Sequence, residues 1–387
     1  MIATTLGLLL LTLGGPAGAE AEDAAILPPL PPTYRGLGRK GRLQFEAGFR
    51  EFMKVWTPEA GLGPVFNATS CAGCHNRPLP GGSSPTFVVL FGSQGPEGFE
   101  PLIRSGGPVL QARGVTTDEC SVPGEVVPPQ ATIVTRRDTL PLFGLGLVES
   151  IPDASILRQA DPLDRDGDGI SGRANMVYGG VGRFGWKAQQ HALYQFVSTA
   201  LVEEMGITSY LRPDEVSPQT GELSCDTVPD PEDEGAFYQI TQFLTLLPPL
   251  PRTGPPAAFR QGRTVFRELG CHGCHREQYR TSSPTGPNLP HRMFAERRVR
   301  LFSDLLLHYM GPDLADGIEQ GDATGSEFRT APLWGVAHSA PYLHDGRAPT
   351  LEDAIAAHGG EAEDARGRFL ALPEADRAAL IAFLRSL

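Results

Sequence analysis

The sequence feature that most constrains this chain is a five-residue pattern, C-x-x-C-H, which occurs twice. One helical turn separates the two cysteines of each copy, so both thiols face one edge of a flat ligand and the following histidine points at its centre. This spacing is typical of covalent haem attachment, in which the thiols bond to the porphyrin and the histidine binds the iron. The residues concerned are Cys71, Cys74, His75, Cys271, Cys274 and His275.

Zinc knuckles and redox dithiols also use C-x-x-C, and they are the alternatives to haem. Both copies in this chain end in histidine, and no second C-x-x-C accompanies either copy to complete a zinc tetrad. We therefore expect two covalently bound haem c groups, with His75 and His275 as the proximal iron ligands.

Length and charge limit the other possibilities. At 387 residues the chain is long enough for two domains, each with its own core. Its hydrophobic content of 40% is ordinary for a soluble globular protein. The formal net charge of -12 argues against nucleic acid as a partner. A small electron-donor protein would dock through local patches rather than through a basic field over the whole surface.

The first residues have the pattern of an export signal. Residues 6–13 are apolar, and Ala17-Gly18-Ala19 forms an A-x-A cleavage site. These features predict a signal peptide over residues 1–19 and a periplasmic location. No Lys or Arg precedes the apolar run, which leaves open a start further upstream. The run is too short to cross a bilayer, so we expect no membrane span in the mature chain.

Two cysteines, Cys120 and Cys225, lie outside the two motifs. In an oxidising compartment they can form a disulfide. Two separate buried thiols are the alternative.

Apolar periodicity predicts a mainly α fold with two cytochrome c-like haem domains. An acidic and then proline-rich linker is expected over 20–33, an N-terminal haem domain over 34–252 and a C-terminal haem domain over 253–387. Phe45, Phe49, Phe52 and Trp56 have the spacing of a buried helical stripe and lead into the first motif. Residues 76–181 are rich in Gly and Pro, so the N-terminal domain should carry large irregular or β insertions.

The C-terminal domain should be compact. A helix through Phe259 and Phe266 precedes the second motif, with Gly262 allowing the close approach of another helix. A final helix is expected over residues 373–387. First and last helices that cross over the haem are typical of a cytochrome c domain.

The segment Asp164–Ser171 reads D-x-D-G-D-G and resembles the first half of an EF-hand loop. Asp164, Asp166 and Asp168 would supply carboxylate oxygens to Ca²⁺. Asn175 stands where an EF-hand has its bidentate glutamate. A solvated Asp-Gly turn without a metal is the alternative.

Several longer stretches resemble known dihaem enzymes. Arg329–Trp334 and Ala340–Arg347 resemble the C-terminal domain of bacterial dihaem cytochrome c peroxidases and of the methylamine-utilisation dihaem enzyme. Three stretches resemble the dihaem oxidoreductase branch of that superfamily, also called thiol oxidoreductases: Phe66–Cys71, Arg183–Ala188 and Glu204–Thr208. The second of these names suggests a thiol substrate. The resemblance covers most of the chain from about Gly41 onward and implies a two-haem oxidoreductase.

The resemblance also suggests the distal ligand of the second iron. In the peroxidases a methionine on the helix after the Ala340–Gly346 stretch takes this position, and His358 occupies that place here. Thr350 and Asp353 predict the start of this helix, whose buried face would carry His358. A core histidine bonded to a carbonyl is the alternative. The rival ligands are Met310, His308 and His344.

The first iron is expected to keep an open sixth position, because no histidine lies between His75 and His191. Met176, His191 and Met205 remain rival ligands. The resemblance places a distal-pocket acid, which acts as the proton carrier in the peroxidases, at Glu149. A salt-bridged or surface glutamate is the alternative.

Together these features predict a peroxidase-like enzyme. A small oxidant such as peroxide would react at the N-terminal haem, and the C-terminal haem would relay electrons, with Trp186 and Trp334 as candidate bridges between them. One alternative is an electron carrier with two six-coordinate irons. Another is an oxygenase that acts on an organic substrate, as in the related rubber-degrading dihaem enzymes.

Overall fold

The computed structural model describes residues 27–214, 219, 221, 225, 228, 229, 231, 234–282 and 291–387. The expected signal peptide over 1–19, and the linker up to residue 26, lie outside the described residues. Within the described ranges no helix is both long and apolar enough to cross a membrane.

Helices dominate both ends of the chain, and short strands lie between them. The helices are α1 (Arg39–Met53), α2 (Cys71–Cys74), α3 (Leu145–Glu149), α4 (Asp153–Leu157), α5 (Leu193–Met205), α6 (Glu234–Leu246), α7 (Pro256–Glu268), α8 (His291–Phe294), α9 (Leu351–Ala357), α10 (Glu363–Leu370) and α11 (Glu374–Arg385). The strands are β1 (Val65–Phe66), β2 (Phe87–Gly95), β3 (Gly98–Glu100), β4 (Arg113–Gly114), β5 (Ile133–Asp138), β6 (Met176–Val177), β7 (Gly180–Val181), β8 (Tyr279–Arg280), β9 (Arg298–Val299), β10 (Leu307–Tyr309) and β11 (Glu327–Arg329).

Helices α1 and α6 form the frame that carries the first motif. Phe45, Phe49 and Phe52 are buried on one face of α1, as their spacing predicts. All three rings pack around Phe243 of α6, at centroid distances of 5.0, 5.8 and 5.0 Å. The ring of Phe52 also lies 6.5 Å from the imidazole of His75, so this aromatic packing reaches the first motif.

Helices α7 and α11 form the equivalent frame for the second motif. A Cβ atom at Gly262 would lie 2.1 Å from the carbonyl oxygen of Ala379, so the two backbones meet where a side chain would not fit. Phe266 packs against Phe383 at 5.4 Å and against the imidazole of His275 at 6.3 Å. The predicted crossing of the first and last helices is confirmed.

The insertion in the N-terminal half is built on a three-stranded antiparallel sheet of order β3-β2-β5. Its register pairs Phe87 with Asp138 and Gly92 with Ile133, so β5 ends at Asp138 beside the cavity described below. The expected mainly α fold is thus confirmed in part, because helices frame both motifs while strands and irregular segments fill the middle of the chain.

The two halves share packing. The larger hydrophobic core contains α1, α5 and α6, and residues from beyond 253, such as Leu305 and Trp334, join it. A second core lies between α7 and α11. The domain boundary at residues 252 and 253 stays a prediction. The expected disulfide is confirmed, since Cys120 and Cys225 are bonded, with their Cα atoms 5.5 Å apart.

Candidate functional site

The first C-x-x-C-H motif is a single helical turn. Helix α2 runs from Cys71 to Cys74, and Ser70 caps it by accepting a hydrogen bond from Gly73 N at 3.1 Å. The backbone N–H of His75 continues the turn by donating to the carbonyl of Cys71 at 2.9 Å. The sequence therefore places both thiols and the imidazole within one turn, as haem attachment requires.

The imidazole of His75 is prepared to bind a metal. Its Nδ1 donates to the carbonyl oxygen of Gly82 at 3.1 Å, which leaves Nε2 unprotonated. Burial lowers the pKa of His75 to about 4, so the ring is neutral at physiological pH. A neutral imidazole with its second nitrogen held by a carbonyl is the form that iron binds.

The second motif repeats this arrangement without a regular helix. The N–H of His275 donates to the carbonyl of Cys271 at 2.9 Å, and Nδ1 of His275 donates to the carbonyl of Phe302 at 3.0 Å. Burial again lowers the pKa of His275 to about 4. Two distant segments thus reach the same chemical arrangement.

The four motif cysteines fit covalent haem attachment. All four are unpaired and half-buried, whereas Cys120 and Cys225 form the disulfide. Burial raises the pKa of Cys71 to about 12 and that of Cys74 to about 11, which favours the neutral thiol over the thiolate. The residues present therefore fit the group that the motifs imply.

A cavity of about 300 Å³ adjoins the second motif and extends toward the N-terminal half. The side chains of Cys271, Cys274, His275 and His358 line one part of it. The cavity continues past Trp186 and Trp334 to Asp138, Phe143 and Val148, whereas Glu149 does not line it. Further lining residues are Phe184, Phe196, Met310, Phe328, His344, Ala354 and Ile355.

His358 lies at the C-terminal end of α9. Thr350 caps this helix by accepting a hydrogen bond from Asp353 N at 3.1 Å, as predicted. Nδ1 of His358 donates to the carbonyl of Ala354 at 2.7 Å, which leaves Nε2 free to bind a metal. His358 is near enough to His275 that a charge on it would lower the pKa of His275. The contact with Ala354 also fits the alternative, a core histidine bonded to a carbonyl, so His358 as the distal ligand remains a proposal.

The three rival ligands differ in how their side chains are used. Both ring nitrogens of His308 are occupied, Nε2 by Asp304 at 2.8 Å and Nδ1 by Glu361 at 2.7 Å. His308 is therefore not free to bind iron in this arrangement. Met310 and His344 line the cavity and remain alternatives to His358.

The middle of the cavity is aromatic. The rings of His344 and Phe328 are stacked with centroids 4.2 Å apart, and Trp186 meets His344 edge-on at 6.4 Å. The indole N–H of Trp186 donates to the carbonyl of Asp138 at 3.0 Å. Trp186 and Trp334 therefore lie along the cavity that reaches the second motif.

A buried charge cluster of Arg137, Lys187 and Asp316 packs against this aromatic group. Asp316 accepts hydrogen bonds from Arg137 at 2.9 and 2.6 Å, and its other oxygen lies 3.1 Å from Nζ of Lys187. Lys187 is fully buried, and its ammonium lies 4.0 Å from the centre of the Phe328 ring. Burial lowers the pKa of Lys187 to about 8, although Asp316 opposes this shift. Sequence analysis did not single out this cluster.

Glu149 ends α3 and lies against the start of α5. Its Oε1 accepts a hydrogen bond from the N–H of Leu193 at 2.9 Å. Burial raises the pKa of Glu149, while Leu193 and then Arg183 oppose the shift. A side chain in this position can hold a proton, and it also caps a helix. Its catalytic role stays a proposal.

The candidate sixth ligands of the first iron lie in different environments. Met176 is 48% exposed on β6, whereas Met205 is buried in the larger core at the end of α5. His191 packs over Gly180 and keeps Nδ1 buried without a hydrogen bond. None of these three side chains lines the cavity described above.

Sequence analysis missed two buried carboxyl groups near the site. Glu204 accepts a hydrogen bond from Nδ2 of Asn67 at 3.0 Å, and burial raises its pKa to about 7. Asp138 lines the cavity, and burial raises its pKa to about 6. Glu204 belongs to a stretch quoted above for its family resemblance, but nothing local in the sequence indicates burial.

The carboxylates of Asp164, Asp166 and Asp168 come together, with ligand oxygens within 4.8 Å of one another. Asn175 does not complete this group, because its amide donates to the carbonyls of Lys187 and Gln320. The loop ends at the second motif: Ser171 donates to both oxygens of Glu361, which also holds His308.

Comparison with known proteins gives a family match. Residues 127–387 match the family model described as "Di-haem oxidoreductase, putative peroxidase". No curated protein matches the sequence significantly.

Solved structures give only distant likenesses. They include hydrazine synthase of Kuenenia stuttgartiensis (16% identity, 97% of this chain and 100% of the other, TM-score 0.40). A MauG-like protein associated with microbial copper homeostasis shares 17% identity over 95% of each chain, with a TM-score of 0.41. The diheme peroxidase BthA of Burkholderia thailandensis shares 16% identity over 89% of this chain and 86% of its own, with a TM-score of 0.42.

Proposed function

Because this chain belongs to the di-haem oxidoreductase family, we propose that it is a periplasmic enzyme that binds two haem c groups covalently and reduces peroxide. Reduction of hydrogen peroxide to two molecules of water consumes two electrons and two protons. When bound, haem supplies the redox centre and a coordination position for a small oxidant. In this proposal the N-terminal haem site receives the oxidant, and the C-terminal site relays electrons from a small donor protein.

The cavity at the second motif is the observation that carries this proposal. It brings together the two thiols of Cys271 and Cys274, the imidazole of His275 and the imidazole of His358. The thiols would anchor the porphyrin, and the two imidazoles would hold its iron. Carbonyls of Phe302 and Ala354 fix both rings through Nδ1, so each presents an unprotonated Nε2.

The N-terminal site is proposed to lack a protein sixth ligand. His75 is held in the same way as His275, whereas the candidate sixth ligands are scattered between surface and core. A small oxidant would then be able to bind the haem iron that His75 would hold. Glu149 would hold a proton and deliver it from a carboxyl oxygen to the departing oxygen atom of peroxide.

The experiment that tests the function is spectroscopy of the ferric protein combined with turnover. We expect one low-spin and one high-spin haem, with the high-spin signal shifting when peroxide or cyanide is added. The variant His358→Ala should convert the low-spin haem to high spin, and the matched variant Met310→Ala should not. Two low-spin haems that ignore both ligands would instead support an electron carrier without catalysis.

The proton carrier is tested separately. Glu149→Gln should lower the rate of peroxide reduction by about 10²–10⁴-fold, the usual contribution of a positioned acid. Glu204→Gln and Asp138→Asn, which remove the other buried carboxyl groups of raised pKa, are the comparison variants. If one of these two variants loses activity while Glu149→Gln keeps it, the proton carrier is that residue and not Glu149.

We also propose that the loop with Asp164, Asp166 and Asp168 binds Ca²⁺. The proximity of the three carboxylates supports this site. Calcium should raise the melting temperature of the wild-type protein and bind in titration calorimetry, and Asp166→Asn should weaken both effects. Equal responses of the two proteins to calcium would show that the loop is a solvated turn.

A further inference from the structure

A concave, positively charged surface lies beside the second motif. The hollow has a volume of about 340 Å³, and among the described residues its lining includes four arginines and no carboxylate. Because the whole chain carries a formal net charge of -12, this concentration of positive charge is a local exception. The lining residues are Ser155, Arg158, Gln159, Arg276, Gln278, Tyr279, Arg280 and Arg298.

Most of this positive charge is not neutralised within the described part of the chain. Arg276 donates to the side-chain oxygen of Gln159, and Arg158 donates to the hydroxyl of Ser155 at 3.1 Å, so both meet neutral partners. Arg298 has no ion pair among the described residues. Arg280 is the exception, because it lies 3.0 Å from the exposed carboxylate of Glu296.

The backbone places two of these arginines against each other. Arg280 of β8 pairs directly with Arg298 of β9 in an antiparallel ladder. Like charges directly opposite each other in such a ladder are unfavourable. An external group of negative charge would relieve this repulsion.

The positive surface is attached to the second haem-binding turn. Arg276 follows His275 directly, and its N–H donates to the carbonyl of Cys274 at 2.9 Å. Its own carbonyl accepts a hydrogen bond from Ser303 N at 2.9 Å, which fixes the backbone of this arginine. His272, within the motif, is exposed on the surface. The arginines therefore lie at the rim of the site that would hold the second haem.

The charge also extends beyond the hollow, which favours a large partner over a small anion. Arg297 and Arg300, on either side of β9, are both exposed. The pKa of Arg252 is lowered by burial and then by the charge of Arg300, so Arg252 continues the cationic surface toward α7. A single carboxylate or phosphate would use only part of this surface.

We propose that this arginine surface is the docking site of a small acidic redox protein that donates electrons to the second haem. The proposal depends on the electron-relay role given to that haem above. One electron would leave the donor, which is oxidised, and reduce the haem that Cys271, Cys274 and His275 would hold; no bond forms or breaks. Complementary charge would orient the donor and raise its association rate by about 10–10³-fold at low salt.

The test uses the oxidised holoprotein and a reduced acidic blue-copper protein in a stopped-flow instrument. The rate constant for reduction of the second haem should fall at least about 10-fold between 20 and 300 mM salt. The triple variant Arg158→Glu, Arg276→Glu, Arg298→Glu should lower the low-salt rate by about 10-fold or more. The matched control Arg104→Glu, an exposed arginine outside this surface, should change it less than about 2-fold.

Calorimetric titration with the oxidised blue-copper protein gives a readout that does not depend on turnover. The triple variant should weaken binding. Substitution of glutamine at the same three positions, Arg158, Arg276 and Arg298, should weaken it to a smaller extent. The glutamine variant is the control for misfolding of the glutamate variant. A basic cytochrome c should reduce the wild-type protein more slowly than the acidic donor.

The outcomes separate the docking surface from the enzyme function. Peroxide turnover with hydroquinone, a neutral small reductant, should be unaffected by the triple variant. If the acidic protein reduces the haem through the arginines but neither it nor hydroquinone supports peroxide turnover, the peroxidase proposal fails and the docking site stands. If reduction by the acidic protein is independent of salt and of the arginines, the docking site is refuted. Saturable, arginine-dependent binding of inorganic phosphate with no effect on the donor would likewise refute it.

Discussion

Replacement of Lys187 by methionine tests the energetic role of the buried charge cluster. The ammonium of Lys187 is fully buried beside Asp316 and over the ring of Phe328. Burial lowers its pKa from 10.5 to about 8. At about 1.4 kcal/mol for each pH unit, this difference corresponds to a cost on the order of 3 kcal/mol for keeping the buried lysine charged.

The sign of the pH dependence follows from proton binding. Between pH 8 and 10.5 the unfolded chain holds a proton on Lys187 that the folded chain has released, so the free energy of unfolding rises with pH. Below pH 8 both states are charged and the cost is present in full. The wild-type protein should therefore gain on the order of 3 kcal/mol relative to Lys187→Met as the pH increases from 8 to 10.5.

Guanidinium denaturation of the holoprotein at several pH values measures this difference. Lys40→Met, at an exposed position of α1, is the matched control and should show no such change relative to wild type. At pH 7 the Lys187→Met variant also loses two hydrogen bonds, to the carbonyls of Thr324 and Glu327, so only the pH-dependent part is diagnostic. A difference between wild type and variant that stays constant from pH 8 to 10.5 would refute the reasoning.

Two further predictions concern stability. His308→Gln should reduce the free energy of unfolding by about 3–5 kcal/mol, because it leaves the carboxylates of Asp304 and Glu361 buried without a cation. In the wild type, burial opposes the charge of His308, but these carboxylates raise its pKa well above 6.5. The stabilisation is therefore present in full below pH 6.5 and should be lost as the pH rises through the raised pKa of folded His308. Urea denaturation at pH 6 and pH 10 measures this, and an equal loss for His308→Gln at both pH values would contradict it. Cys120→Ser should lower the free energy of unfolding by about 2–4 kcal/mol, because it removes the disulfide. The double variant that also carries Cys225→Ser should lose no more than the single variant. Additive losses in thermal unfolding would show that the disulfide is not the cause.

The parts of this protein that could be predicted from sequence are those whose information is local. The aromatic stripe of α1 repeats with the helical period, so its buried face follows from spacing alone. The same is true of the two haem-binding turns and of the Thr350 cap on α9. The close contact at Gly262 was also foreseeable, because a glycine within an apolar helix face indicates a tight crossing.

The charge cluster behind the cavity could not be predicted in this way. Arg137 and Asp316 are 179 positions apart, and each stands in a stretch with other charged residues that are exposed. Lys187 belongs to the stretch Arg183–Ala188, which was quoted for its family resemblance, but its sequence context gives no sign that its ammonium is buried. Burial of a charge depends on which distant segments fold over it, and no periodicity encodes that choice.

The choice of distal ligand for the second haem iron depends on hydrogen-bond partners that residue spacing does not reveal. By sequence alone His308, His344 and His358 are three histidines that follow the second motif, and the family resemblance and the helix pattern after Thr350 favour His358. The structure distinguishes His308 from His358 by their partners: two carboxylates occupy both nitrogens of His308, while a single carbonyl holds one nitrogen of His358. An imidazole between two carboxylates is held in its charged form, which cannot bind a metal. An imidazole fixed at Nδ1 by a carbonyl has the arrangement that metal-binding histidines adopt. For this reason His358→Ala, and not His308→Gln, should change the spin state of the second haem, and the opposite result would reassign the ligand.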